Sequence, residues 1–348
     1  MSTPNTAQST QPKPNSIGAL ILIILTAIAI VVSLILGGIR LFGGNAENPT
    51  EEPTGTPSVD PFDPDFKLEA WPSDQPLSGF TKLEAGTLFI ATEGYTPDED
   101  SLQTIVRKYK DGVNQFAVSD SSLQINKETN DALLRMLTAM NQEIKFDENI
   151  SVHSAYSTLR TYQRTGMTVR FQLIPVGSGS PELLENATGD NPAAWLAANA
   201  WKYGFVLRYP KGNAVTDMEN GAPDYYRYVG VPHAYYITKV LELEDKNVVP
   251  TLEDYVALAK NATAKNPIAF EVKGSGADNG VYNVYYVKAS DVDKAQIREG
   301  FEIYGVSGVG DGYLVTSVIR TGAEDDDGEA SSEDKTEDKT EEATEAST

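Results

Sequence analysis

Twenty-three consecutive residues, Ile17 to Ile39, carry no charge and are dominated by Ile, Leu, Val and Ala. The hydrocarbon layer of a bilayer, about 30 Å thick, is crossed by a helix of about 20 apolar residues, so this segment is long enough to span it. A cleavable signal peptide has a shorter apolar stretch, roughly 7–15 residues, and ends in a small-residue cleavage site. Gly44-Asn45-Ala46 makes a poor site of that kind. The expectation is an uncleaved, single-span anchor. Its flanking charges, Lys13 on one side and Arg40 on the other, set orientation only weakly.

On either side of the anchor the composition is that of extended chain. Residues 1–16 are rich in Ser, Thr, Pro and Gln. Residues 40–79 are rich in Pro, Glu, Thr and Asp, with Pro49, Pro53, Pro57, Pro61 and Pro64 among them. Such stretches cannot bury a core and read as a disordered tail and a spacer. At the far end, residues 322–348 form an acidic tail, with twelve Asp and Glu against Lys335 and Lys339. About −10 of the net charge of −22 lies there. A chain this acidic repels the phosphates of nucleic acid. The absence of cysteine excludes disulfides, thiolate metal sites and cysteine nucleophiles. Only His153 and His233 offer imidazole chemistry.

Between spacer and tail the pattern is that of an α+β fold. Gly86–Ala91 reads as a first strand. Leu133, Leu137, Met140 and Ile144 recur at helical spacing within about 127–145. Ile150–Tyr156 and Met167–Val176 read as strands. Asn191 is placed to cap a helix from Pro192 to Tyr203, ended by Gly204 and followed by a strand at Phe205–Tyr209. Another strand is expected at Tyr226–Val229, then helices from Pro232 and from Leu252. Beyond Pro267 the period shortens to that of strands, at Ile268–Val272, Val281–Val287, Phe301–Val306 and Tyr313–Ile319, with Asn279-Gly280 and Asp311-Gly312 as hairpin signals. The expected layout is one domain over 80–262 and a small, separately packed all-β appendage over 263–321.

Two stretches carry a resemblance. Asn199-Ala200-Trp201-Lys202-Tyr203-Gly204-Phe205-Val206-Leu207-Arg208-Tyr209-Pro210-Lys211-Gly212 is one. The other is Tyr226-Arg227-Tyr228-Val229-Gly230-Val231-Pro232-His233-Ala234, followed by Thr251-Leu252-Glu253-Asp254-Tyr255. Both closely resemble segments of the VanY-type D-alanyl-D-alanine carboxypeptidases, and the likeness covers about 80–260. The resemblance implies a carboxypeptidase-like domain with an antiparallel sheet and flanking helices, exported from the cell. The protein is therefore expected in the cell membrane, single-pass, with its N-terminus inside. Active relatives are zinc hydrolases that trim the terminal D-alanine from peptidoglycan stem peptides.

The resemblance also implies where the chemistry should sit. The family's His-x-x-Gly-x-x-x-Asp zinc stretch falls on Gln163, Gly166 and Arg170. Its Glu-x-Trp-His stretch, which supplies the general base and last ligand, falls on Ala222 and Tyr225. Its Ser-Gly-Tyr-Arg-Ser strand, whose arginine grips the peptide carboxylate, corresponds to His153-Ser154-Ala155-Tyr156-Ser157, with Tyr156 in the arginine's place. A glutamine amide is a feeble zinc ligand and a guanidinium repels the metal. The expectation is a catalytically inactive homologue without a cofactor, binding a stem peptide or a wall-synthesis protein. The alternative is an active peptidase using ligands not recognised in these motifs. Tyr156, Gln163, Arg170, Arg208, Tyr225 and Arg227 form the candidate groove, with bracing of the fold as the competing role for Arg208 and Arg227. Both histidines read as structural. The Ser332-x-x-Lys335 spacing lies in the acidic tail, where no oxyanion hole can be preorganised.

Overall fold

Helix α1, Lys127–Glu143, starts where the side chain of Asn126 accepts the Thr129 amide. Its apolar stripe, including Leu133, Leu137 and Met140, is wholly buried. The computed structural model describes residues 61–109, 112–177, 180–212, 221–243 and 248–321. The expected tail at 1–16, anchor at 17–39 and acidic tail at 322–348 lie outside the described residues. Among the described residues no helix is long and apolar enough to cross a membrane.

The α1 stripe packs on a five-stranded sheet. Its strands are β3 (Ala117–Val118), β5 (Asn149–Ser154), β6 (Thr168–Ile174), β7 (Phe205–Tyr209) and β8 (Ala222–Tyr228), in the order β3-β5-β6-β8-β7. All pairs are antiparallel except β3 with β5, so the sheet is mixed. Alternation sends Val169, Phe171 and Leu173 of β6 and Tyr226 and Tyr228 of β8 toward α1. Arg170, Tyr225 and Arg227 are left on the opposite face. Helix α2, Pro192–Asn199, is capped by Asn191 as expected and continues as a tighter turn through Ala200–Tyr203. Gly204 ends it at φ 83°, where a Cβ would lie 2.7 Å from the Tyr228 ring.

A four-stranded antiparallel sheet follows in the order β12-β13-β10-β9, from β9 (Ile268–Val272), β10 (Gly280–Lys288), β12 (Glu302–Gly308) and β13 (Gly312–Arg320). Both faces of its centre are covered, which explains the near-continuous apolar reading of β10 and β13. One face, with Tyr282, Val284, Leu314 and Val318, packs against α3 (Val231–Tyr235, continued by a π-helical turn) and α4 (Leu252–Ala259). That same cluster takes in Val206 of β7 and Val229, so the four-stranded sheet shares a core with the five-stranded part. The other face, with Tyr285, Val287, Tyr313 and Val315, is covered by Trp71, Leu77 and Ile297.

Part of the stretch expected as spacer thus belongs to the fold. Strand β1 (Leu68–Ala70) pairs with β11 (Gln296–Arg298), and Trp71 and Leu77 are buried. These apolar side chains take hold despite the Pro- and Asp-rich setting. The strand expected at Gly86–Ala91 is a turn: Gly86 has φ 106°, Phe89 N donates to Gly86 O, and Leu88 and Phe89 plug the core. A short ribbon of β2 (Leu102–Thr104) and β4 (Gln124–Asn126) leads into α1.

Candidate functional site

The sheet face away from α1, at the end where β5 stops and β6 begins, gathers Gln163, Arg170 and Tyr225. Gln163 is 1% exposed, in a helical turn at Thr161–Gln163, and its Nε2 donates to Ser154 Oγ at 2.8 Å. Arg170 faces Tyr225 in the β6–β8 register. Its Nε donates to Asp224 Oδ2 at 2.6 Å, and its guanidinium stands 5.3 Å from the Tyr225 ring centre. Asp224 is buried, so its negative charge is neutralised in place rather than by solvent.

Tyr225 belongs to a cluster of three. Its ring meets Tyr162 and Tyr209 edge-to-face, each at 5.6 Å between centres, and Tyr162 meets Tyr209 at 5.3 Å. Burial, and then the hydrogen bond with Tyr162, pushes the Tyr225 phenol up to about 12, so it stays protonated at neutral pH. Arg160 is exposed, donates to Tyr162 Oη at 2.7 Å and meets no carboxylate among the described residues. His153 lies exposed on β5. Partial burial, and then the charge of Arg170, hold its imidazole below the usual range. Ala222 opens β8 opposite Tyr209 and contributes only a methyl group. Tyr156 is half-buried just past β5, its amide donating to Gln124 O.

Arg208 and Arg227 lie outside this groove. Arg208 is 6% exposed, binds the Glu253 carboxylate of α4 through both Nη atoms, and stacks over Tyr209 at 5.0 Å. Arg227 is 3% exposed; its guanidinium donates to Thr87 O and Phe89 O at 3.0 Å and to Thr165 Oγ1. Both brace the fold, and their side chains are consumed by it. Tyr162, Tyr209 and Arg160 were missed by the motif reading. The neighbours of Gln163 and the Arg208-Tyr209 pair were in view, but only the register of β7 and β8 brings them together.

A mixed sheet under one long capped helix, with this polar face, makes an α+β frame. No family model matches the chain. It is similar to a D-alanyl-D-alanine carboxypeptidase of Enterococcus faecium, at 23% identity over 235 residues, covering 58% of this chain and 75% of the relative. Among solved structures, the vancomycin-resistance D,D-dipeptidase VanXYg in complex with a D-Ala-D-Ala phosphinate analogue overlays with a TM-score of 0.47 at 17% identity, over 73% of this chain and 99% of that one. An LdcB LD-carboxypeptidase, whose structure was described for peptidoglycan recognition, overlays at 0.35 and 22% identity, over 55% and 94%. The chain is related to the VanY-type D-alanyl-D-alanine carboxypeptidases.

The residues at the implied zinc position do not fit the metal. A catalytic zinc takes three protein ligands from imidazole, thiolate or carboxylate and keeps one position for water. Here a hydrogen-bonded amide, an ion-paired guanidinium and a protonated phenol stand in those places. Among the described residues no three His, Cys, Asp or Glu side chains come together.

Proposed function

We propose that the protein binds a cell-wall peptide, the stem peptide of peptidoglycan, at this site without hydrolysing it, outside the cell and anchored through residues 17–39. The observation that carries this reading is the Arg170–Asp224 ion pair. It puts a fixed cation where the family resemblance calls for a metal-binding carboxylate, and it occupies the carboxylate next to it. With Ala222 at the base position, no described residue at the site is poised to move a proton between water and a leaving amine. What remains suits binding. Arg160 offers a guanidinium to a carboxylate, and the tyrosine cluster offers ring edges to small apolar side chains.

The test uses the full chain in detergent micelles. It is expected to hold no stoichiometric zinc and to release no D-alanine from a pentapeptide ending in D-Ala-D-Ala. The same peptide should bind saturably, about tenfold more weakly to Arg160→Ala, as the loss of one charge-assisted hydrogen bond implies. One tightly held zinc together with released D-alanine would overturn the non-hydrolytic reading. Absence of saturable binding would overturn the peptide.

A further inference from the structure

A second cleft, of about 490 Å³, opens at the N-terminal end of β5, under the last turn of α1 and beside the edge strand β3. The site of Gln163 and Arg170 lies at the other end of the same strand, about 17 Å away at ~3.3 Å per residue. Ligand pockets of this size are usually lined by apolar side chains with a few polar groups. This one reverses the proportion. Asn114, Gln115, Asn141 and Asn149 bring four amides to it, and Phe116 and Phe146 two phenyl rings. The amides of Asn114 and Asn149 and the guanidinium of Arg107 have no partner among the described residues. Asn141 uses its Nδ2 on Gln115 O, at 2.7 Å, and leaves its Oδ1 unpaired.

The charges point the same way. Arg107 and Lys145 line the cleft against a single carboxylate, Glu148, both of whose oxygens already accept the Thr188 amide. In a chain of net charge −22 this is a locally cationic spot. A ligand that displaces water here must return both donors and acceptors to the amides and an anion to Arg107. Hydroxyls and acetamido groups on a ring do the first, and a carboxylate does the second. An extended peptide is poorly served. It would dock along the edge strand β3 and the residues leading into it, and there the Gln115 N–H is taken by Arg107 O and the Gln115 carbonyl by Asn141.

We propose that this cleft binds a carboxylate-bearing acetamido sugar, as a wall glycan offers where its peptide has been removed and the muramic carboxylate is freed from its amide bond. The proposal goes beyond the peptide site and does not depend on it.

The test titrates the full chain in detergent with the disaccharide of N-acetylglucosamine and N-acetylmuramic acid, free of any peptide, followed by calorimetry. The neutral N,N′-diacetylchitobiose and a sugar-free stem peptide serve as comparisons. Saturable binding of the acidic disaccharide is expected, about tenfold or more tighter than the neutral one. Arg107→Ala should weaken it about tenfold, one charge-assisted contact. Asn149→Asp should weaken it too, by placing a like charge beside the sugar carboxylate, while Arg160→Ala leaves it unchanged. Among the described residues Arg107 and Asn149 make no side-chain hydrogen bonds or ion pairs, so both variants are expected to fold, with melting temperatures near that of the parent. The proposal is overturned if the acidic disaccharide does not saturate, if Arg107→Ala binds it equally well, or if the sugar-free peptide binds instead and is lost in Arg107→Ala.

Discussion

His233 sits 4% exposed at the start of α3, with Nδ1 2.9 Å from Tyr255 Oη on α4 and Nε2 3.3 Å from Thr316 Oγ1 on β13. Burial drives its imidazole down to about 3, from about 6.5 in the unfolded chain. Between those values the unfolded chain takes up a proton that the folded one refuses. The neutral ring therefore contributes its full stability above about pH 6.5 and loses it as pH falls toward 3. From pH 6.5 to 5, where unfolded carboxylates stay largely ionised, urea unfolding should lose about 1.6 kcal/mol in all to this residue. His233→Asn should flatten that slope, whatever it does to the midpoint at neutral pH. A slope equal in both proteins would mean that the imidazole is protonated inside the fold. The structural role of His233 was legible in the sequence, because the motif around it is one the family resemblance covers. Its partners were not, since Tyr255 and Thr316 reach it from other elements. The same division holds at the candidate site. That Gln163, Arg170 and Tyr225 are wrong for zinc follows from side-chain chemistry alone. That Tyr225 joins Tyr162 and Tyr209 depends on a bulged β7–β8 register that no spacing encodes.

Helix α1 was legible from the helical spacing of Leu133, Leu137 and Met140 and α2 from its cap Asn191; in the structure Asn126, Asn191 and Thr251 each accept a backbone amide in the first turn. Thr251 and Asp254 complete a reciprocal capping box. Strands β9, β10, β12 and β13 were legible from composition and hairpin signals. Three-residue pairings such as β1 with β11 were not, being too short to show alternation. Nor does an apolar strand say which element covers its faces. Phe270, Val272, Tyr282, Val284, Leu314 and Val318 pack with Val229, Ile237, Leu252 and Tyr255 in one cluster. Burying each large apolar side chain contributes about 1.5–3 kcal/mol, against total stabilities of about 5–15 kcal/mol for a domain. A chain truncated after residue 262 is therefore expected to lose cooperative unfolding in urea. A sharp transition in the truncated protein would show that the sheet is dispensable to the core it lines.

At the scale of the whole molecule, the proposed anchor makes a topological prediction. Protease added to intact cells should remove the folded part and leave a membrane-held fragment of the first forty-odd residues. Protection until the membrane is breached would place the fold on the inner side and remove the wall ligands from reach. The route by which the chain enters its fold has a mechanical consequence. Among the described residues, attachments near the N-terminal side include Asp63 O, which accepts from Arg298 Nη2 at 3.1 Å, and the Phe66 ring, 4.2 Å from the same guanidinium. Next comes β1 against β11. Tension that reaches these contacts is loaded onto the C-terminal half of the sequence, through Arg298 and a three-residue ladder. The sheet that carries Gln163, Arg170 and Tyr225 is spared until that clasp has peeled away and Trp71 has left its pocket.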